Sequence, residues 1–371
     1  MAPTPKSDTT LLIDIGTATV SGALMTLGKR HMPLLDMVRR VSLGTGTETA
    51  RDALSTHLPR ALEELLGTYS GVVPKQVRVV LASPWYEARI RAVSSSSSKP
   101  VTVSEKTVLA LVEEYKNKEA PRSGNRDIEA LAVQVLVNGY HTRLARAVSG
   151  TTIAVNLYES EVDQTTAASL SGAIEKVFPH ATVSFHSFPL ISSVALRALA
   201  YEKSFLVVDV AGEMTEVTIV YEDGMHFLGS FPVGYHTLAR SFGGKKDAVG
   251  DALSRLALLG RGELSSEDSA SEDEKFQKTF TEWLDAFEEA LKAAANAVPI
   301  PRKLFLITDR EHVSWVRRGL ELRNPFMLTV EPVGAPLVQN KLELGETGTY
   351  DVFLSLAGLF FHTYRRELIG E

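Results

Sequence analysis

Cysteine is absent from the 371 residues. That excludes a disulfide framework, thiolate zinc sites, iron–sulfur ligation and cysteine nucleophiles, and it fits a reducing cytosol. Positive charge is also not in excess: 39 Lys and Arg stand against 45 Asp and Glu, a net charge of −6. Nonspecific nucleic-acid binding therefore has no electrostatic footprint here. No run approaches the roughly 20 apolar residues of a membrane helix, and the polar start, Met1 to Thr10, lacks a signal-peptide core. Nine histidines are scattered without ligand spacing, and neither a Walker A loop nor a Gly-x-Ser-x-Gly elbow occurs. What remains is ordinary for a globular chain, with 44% apolar and 23% charged residues. Its length suits roughly two to three domains. A soluble, intracellular protein is expected.

Leu11 to Ile15 is an apolar run that ends on Asp14 and turns through Gly16, the pattern of a buried strand with a tight exit. Ser21 to Leu27 reads as its antiparallel return. Leu54, Leu58, Leu62, Leu65 and Leu66 recur at helical spacing, and Val77 to Ala82 reads as a further strand. From there the character changes. A possible strand, Arg89 to Val93, leads to five serines, Ser94 to Ser98, which suggest a flexible hairpin tip and a partner-facing edge. Thr102 with Glu105 forms a capping-box pattern before the apolar stripe from Val108 to Tyr115. Strands at Ala130 to Val137 and Thr151 to Leu157 flank an Asn138-Gly139 turn, and a helix follows from Asp163 or Thr165 to Val177. Residues 77–178 thus form a small α+β unit.

Phe205 to Glu216 repeats the opening grammar: an apolar strand, Asp209, then a turn carrying Gly212. Two matching halves around an insertion are implied. Glu263 to Glu274 is rich in acids and serines and is expected to be a solvated loop. Phe276, Phe280, Trp283, Leu284, Phe287 and Leu291 then mark an amphipathic helix. Leu304 to Thr308 reads as a strand and Asp351 to Arg366 as a closing helix. Two Asp-and-Gly turns facing one another across a cleft have a chemical use. Backbone amides of a tight turn cradle phosphate, and an Asp at each strand end holds a hydrated magnesium ion. Thr17, Thr19 and Thr215 add hydroxyl donors.

These residues resemble the actin-like ATPase superfamily, FtsA and PilM type. Asp14-Ile15-Gly16-Thr17 is similar to its first phosphate motif, and Asp209 to Glu216 to its second. Phe231-Pro232-Val233-Gly234 is similar to the segment after the second-half hairpin. Val103-Ser104-Glu105-Lys106 and Leu136 to Tyr140 are similar to parts of the inserted 1C (SHS2) subdomain. The resemblance implies an α/β, actin-like (ribonuclease H-like) two-lobed fold with that insertion, each lobe built on a five-stranded sheet. Its parts would be a first lobe at 1–76, the insert at 77–178, a return at 179–204, a second lobe at 205–330 and a final return at 331–371. It implies a nucleotide site at Asp14, Gly16, Thr17, Thr19, Asp209, Gly212, Thr215 and Glu216, with Asp14 and Asp209 toward metal, and ATP with Mg²⁺ as cofactors.

Departures from the motifs point to a degenerate cleft. Thr19 and Ser21 stand where FtsA or PilM sequences carry a lysine, Glu216 replaces an aspartate, and Asp309-Arg310-Glu311 replaces the glycine pair that packs on adenosine. A carboxylate about 4 Å from a phosphate charge costs roughly 4 kcal/mol at an effective dielectric near 20. Glu213 therefore points away, binds magnesium, or marks the loss of tight ATP binding. No residue is assigned a catalytic role, and at most a weak ATPase is expected. The resemblance implies a cytoplasmic scaffold at the inner face of the membrane. In the FtsA type it self-associates and recruits a tubulin-like FtsZ partner. The alternative is a PilM-like pilus-assembly component that binds a PilN-like peptide. The tail after Phe360 is too short for a separate anchor helix, which favours the PilM type. An actin-fold small-molecule kinase is the third reading, although no catalytic base or sugar loop can be placed.

Overall fold

A computed structural model describes residues 9–28, 31–44, 50–118, 124–142, 148–244, 247–263, 266–296 and 298–369. The polar start up to residue 8 lies outside the described residues, as do the side chains from residue 364 onward. The chain begins with β1 (Thr10–Ile15), β2 (Thr19–Leu27), β3 (Pro33–Ser42), α1 (Ala50–Gly67) and β4 (Gln76–Leu81). It continues through β5 (Glu87–Val103), α2 (Glu105–Lys118), β6 (Asn125–Val137), β7 (Tyr140–His141) and β8 (Val148–Asp163). Then come α3 (Gln164–Val177), β9 (Thr182–Ser187) and α4 (Phe188–Leu199). The second half holds β10 (Phe205–Val210), β11 (Thr215–Tyr221), β12 (Gly224–Phe231), α5 (Tyr235–Gly243), α6 (Val249–Arg261) and α7 (Ser266–Ala295). Last are β13 (Lys303–Ile307), α8 (Val313–Leu322), β14 (Thr329–Pro332), α9 (Ala335–Val338), β15 (Glu343–Leu344) and α10 (Val352–Ile369).

Three sheets result, in the orders β15-β3-β2-β1-β4-β9, β12-β11-β10-β13-β14 and β5-β8-β6-β7. The first two share a plan. A three-strand antiparallel meander is extended by a parallel strand on the far side of its first member, β4 beside β1 and β13 beside β10. The repeat read from the two Asp-and-Gly turns is therefore a repeat of topology. The first sheet has six strands rather than five, because β15 returns from the end of the chain to lie parallel to β3. Burial on both faces explains why β1 and β10 read as continuous apolar runs.

The separate third sheet spans Glu87–Asp163, inside the unit marked out at residues 77–178. On either side of it, β4 pairs within the first sheet, and α3 puts Leu170 and Ile174 into one core with Leu58, Leu62 and Leu65 of α1. Asp163 caps α3, accepting from the Thr166 N–H at 2.8 Å.

Three expectations are corrected. The serine run is not a hairpin tip: β5 pairs with β8 as far as Ser96 opposite Thr152 and resumes at Val101 opposite Gly150, so a bulge absorbs the residues between. The cap before α2 is not Thr102 with Glu105. Ser104 and Thr107 exchange the reciprocal bonds, Ser104 N–H to Thr107 Oγ1 at 3.2 Å and Thr107 N–H to Ser104 Oγ at 3.4 Å. From Ser266 onward the acidic stretch is the start of the long helix α7 rather than a loop. Two of its described acids meet neighbouring cations, Glu272 with Lys275 at 2.9 Å and Asp273 with Arg318 of α8 at 2.8 Å. Further along α7, Phe276, Phe280, Trp283 and Phe287 are buried against the second sheet, with Trp283 and Phe287 stacked at 5.1 Å.

Candidate functional site

Both lobes end their first strand in the same way. Asp14 is the fifth residue of β1, opposite Ser21 and beside Val80; Asp209 is the fifth of β10, opposite Glu216 and beside Ile307. Each strand leaves through the same closure, with the Gly16 N–H donating to Thr19 O at 3.0 Å and the Ala211 N–H to Met214 O at 2.9 Å.

The two turns touch. The Glu213 N–H donates to Thr17 Oγ1 at 2.9 Å, so a backbone amide and a hydroxyl suited to phosphate satisfy each other. Gly212 lies so close to the first turn that a Cβ on it would come within 2.8 Å of the Ala18 Cβ, which is why this position lacks a side chain. The first amides of α5 are consumed as well: Tyr235 N–H donates to Ala211 O at 2.9 Å and His236 N–H to Gly212 O at 2.8 Å. What is left between the turns is a crevice of about 20 Å³ bordered by Asp14, Gly16, Thr17, Thr19, Arg40 and Asp309. That is room for about one water molecule.

Glu213 turns away from the crevice. Arg240 of α5 grips its carboxylate with both guanidinium nitrogens, Nη1 to Oε1 at 2.8 Å, and Thr237 Oγ1 donates to it at 3.1 Å. Burial opposes ionisation, but the bonds from Arg240 and His236 outweigh it and hold Glu213 at about 2. Of the possibilities open in the sequence, pointing away is the one observed. Thr215 is not at the crevice either: its hydroxyl donates to Val233 O at 2.6 Å and accepts from Trp283 Nε1 at 2.9 Å.

Behind the turns lies a set of buried carboxylates. Asp14, Asp209, Asp309 and Asp351 are all under 8% exposed. Arg40 of β3 is the cation among them: it pairs with Asp309, lies 3.7 Å from Asp351, and donates from Nε to Thr19 Oγ1 at 3.0 Å. Tyr235 donates to the other oxygen of Asp309 at 2.6 Å. Asp14 and Asp209 are held far above the usual carboxylate range, first by desolvation and then by neighbouring acids; the charge of Asp14 acts on Asp209. Asp14 Oδ1, both oxygens of Asp209 and Glu216 Oε2 have no hydrogen-bond partner among the described residues. Of these residues Asp14 borders the crevice; unsatisfied carboxylate oxygens are the donors a divalent cation such as Mg²⁺ takes, and Asp14 and Asp209 are the residues that would hold it. Asp309, Glu311 and His312 also bring ligand atoms within 4.8 Å of one another, a grouping that histidine spacing did not suggest. Arg40 and Tyr235 already occupy both oxygens of Asp309, so this group is not a free donor set.

Burial raises Glu216 to about 7, against hydrogen bonds from Tyr86 and the Ser83 amide that favour its charged form. The folded state thus binds a proton that the unfolded chain releases near 4.5, so stability falls as pH rises from about 4.5 to 7. At about 1.4 kcal/mol per pH unit this amounts to about 3 kcal/mol. In Glu216→Gln that share of the slope is expected to vanish in urea melts run across this range. Millimolar Mg²⁺ is expected to flatten the slope contributed by Asp14 and Asp209 in the parent protein.

Arg40, Tyr235, Arg240 and Asp351 were not singled out by sequence reasoning. Arg40 and Asp351 are 311 positions apart, and only the return of α10 beside β3 joins them.

No protein-family model and no curated protein matches the chain. Among solved structures it is similar to a PilM–PilN type IV pilus biogenesis complex, at 14% identity over 95% of this chain and 97% of that one, with a TM-score of 0.63. It also aligns with MreB 5 of Spiroplasma citri bound to AMPPNP, at 10% identity, 99% of each chain and a TM-score of 0.47. EutJ from Carboxydothermus hydrogenoformans follows at 10% identity, 96% and 91% coverage and a TM-score of 0.46. The two-lobed repeat, the Asp-ended first strands and the full-length match together give this chain the actin-like ATPase fold.

Proposed function

We propose that this protein is a PilM-type scaffold whose nucleotide cleft is degenerate and whose work is to bind a short peptide of a membrane-anchored partner. The single observation that supports the reading is the direct contact of the two turns, Glu213 N–H on Thr17 Oγ1, which in this reading stands in place of phosphate. An assembly that keeps the fold and closes the cleft is a platform rather than a motor. In this reading the sheet over Glu87–Asp163 is the 1C (SHS2) subdomain. The full-length similarity to PilM in its complex with PilN moves the pilus-type reading ahead of the division scaffold that the sequence resemblance placed first. No described helix is long and apolar enough to cross a membrane; in this reading the membrane-anchored partner provides attachment at the inner face.

In this reading the peptide lies between α1 and α3. A groove of about 170 Å³ runs between α1 and α3, lined by Leu58, Leu62, Trp85, Thr165, Ser169 and Ala173. Its apolar floor with a polar rim suits aliphatic side chains of an extended segment. Ser169 is exposed at the rim, so Ser169→Arg is expected to leave the melting temperature unchanged. Binding of an aliphatic partner peptide, read by fluorescence anisotropy, should weaken at least about tenfold, on the order of 1.4 kcal/mol. Unchanged binding in that variant would remove the groove from the proposal.

A further inference from the structure

Away from the crevice, where the first sheet meets the third, Glu129, His186, Ser184 and Arg78 form a cluster that the scaffold reading does not use. We propose that Ser184 is an activated nucleophilic serine, with His186 as its base and Glu129 as the positioning residue, able to take an acyl group from a carboxylic ester.

The geometry begins with strand periodicity. Ser184 and His186 are two apart on β9 and share a face, and Arg78 of β4 stands opposite Ser184 in the register. Ser184 Oγ lies 3.1 Å from His186 Nε2, and His186 Nδ1 lies 3.3 Å from Glu129 Oε1. The first falls within the separation of about 2.6–3.2 Å that hydroxyl activation uses and the second just beyond it, as is common without a bound reactant. With the Nδ1 proton facing the carboxylate, the Nε2 lone pair accepts, and the serine hydroxyl at 3.1 Å shares it with Arg78 Nη1 at 3.4 Å.

The carboxylate is fixed from two strands, β8 and β9. Glu129 Oε2 accepts from Ser160 Oγ at 2.7 Å, from the Ser187 N–H at 3.3 Å and from the Ser187 hydroxyl, which also meets Tyr158 OH at 2.7 Å. Phe361 sits edge-on to the imidazole at 4.7 Å and fixes its plane. The Glu129 and His186 side chains are 6% and 14% exposed, a dry pair, whereas Ser184 is only half-buried. Arg78 supplies a positive charge beside the nucleophile and base: Nη1 lies 3.5 Å from Ser184 Oγ and 3.4 Å from His186 Nε2, and its guanidinium rests over Phe361.

In the step, Ser184 Oγ attacks the ester carbonyl carbon while its proton passes to His186 Nε2. The tetrahedral intermediate collapses, the bond to the alcohol oxygen breaks, and His186 returns the proton to the departing alkoxide. Water, deprotonated by His186, attacks the acyl-serine in the same way, releasing the carboxylic acid and restoring Ser184.

The test is covalent labelling of the full chain with a fluorophosphonate probe, followed by peptide mass spectrometry, with p-nitrophenyl acetate turnover alongside. One adduct on Ser184 is expected, absent in Ser184→Ala. Labelling should slow about 10²-fold in His186→Gln, the scale of general-base assistance. Glu129→Ala should slow it by about tenfold or more, and Glu129→Asp should restore part of the rate at an unchanged melting temperature. A network that only supports the fold would give no adduct on Ser184 in the parent protein, and that result overturns the proposal whatever the variants do. Equal labelling rates in parent and folded His186→Gln overturn it as well.

Discussion

Arg40→Ala is expected to cost about 3–5 kcal/mol, because it leaves two buried carboxylates without their cation. Asp309 and Asp351 have side chains only 5% exposed, and Arg40 pairs with the first while lying 3.7 Å from the second. The guanidinium also joins β3 to the loop after β13 and to the start of α10, so its removal unties parts of both lobes. At this chain length the melting temperature should fall by on the order of 5–10 °C. Asp309→Asn alone is expected to be mildly destabilising. In the Arg40→Ala background it should recover much of the loss, since it removes the uncompensated charge that Arg40→Ala creates. Such non-additivity is the signature of coupled neighbours, and a double-mutant cycle in urea reads it. Additive losses would mean that Arg40 acts through its packing over Phe353, at 5.8 Å, rather than through charge.

Gly224→Ala is the second change with a large expected effect. Gly224 opens β12 at φ +145°, and a Cβ there would lie 1.9 Å from the carbonyl oxygen of Val133 in β6. A backbone atom of a paired strand cannot swing aside as a side chain can, so the hairpin tip must leave the third sheet. The polar contacts beside it would go too: Gln134 donates to Asp223, Asp223 Oδ1 lies 2.8 Å from His226 Nε2, and Asn156 donates to Gln134 Oε1 at 2.6 Å. A loss of about 3 kcal/mol or more is expected, in the range reserved for backbone clashes and broken polar networks. Faster amide exchange should appear around Val133 and Gln134. Gly172→Ala is the control: it lies within α3 with open space around it, and it should stabilise the chain by about 0.5–1 kcal/mol.

The parts of the fold legible in the sequence were those with strong local signals. The apolar runs ending in Asp14 and Asp209 announced the paired lobes, and the aromatic stripe from Phe276 announced α7. The acidic start of α7 was misread because its neutralising partners, Lys275 apart, lie far along the chain, as Arg318 does for Asp273. The serine run was misread because small polar residues carry no strand signal until a partner such as β8 supplies the ladder. At the crevice, Asp14, Gly16, Thr17, Thr19 and Gly212 come together, whereas Thr215 turns into the core beneath Trp283. Glu213 left three possibilities open, because no local pattern linked it to Arg240, 27 residues onward. Arg40 had no signal at all, since its role exists only once β3, β13 and α10 converge.

The closed crevice is the claim on which the scaffold reading rests, and titration calorimetry of the full chain with Mg-ATP tests it most directly. With Thr17 and Glu213 bonded across the gap and Gly212 against Ala18, no saturable heat is expected at any nucleotide concentration up to the millimolar range. A sub-micromolar dissociation constant, about 8 kcal/mol or more of binding free energy, would mean that the turns part to admit a nucleotide and would contradict the reading.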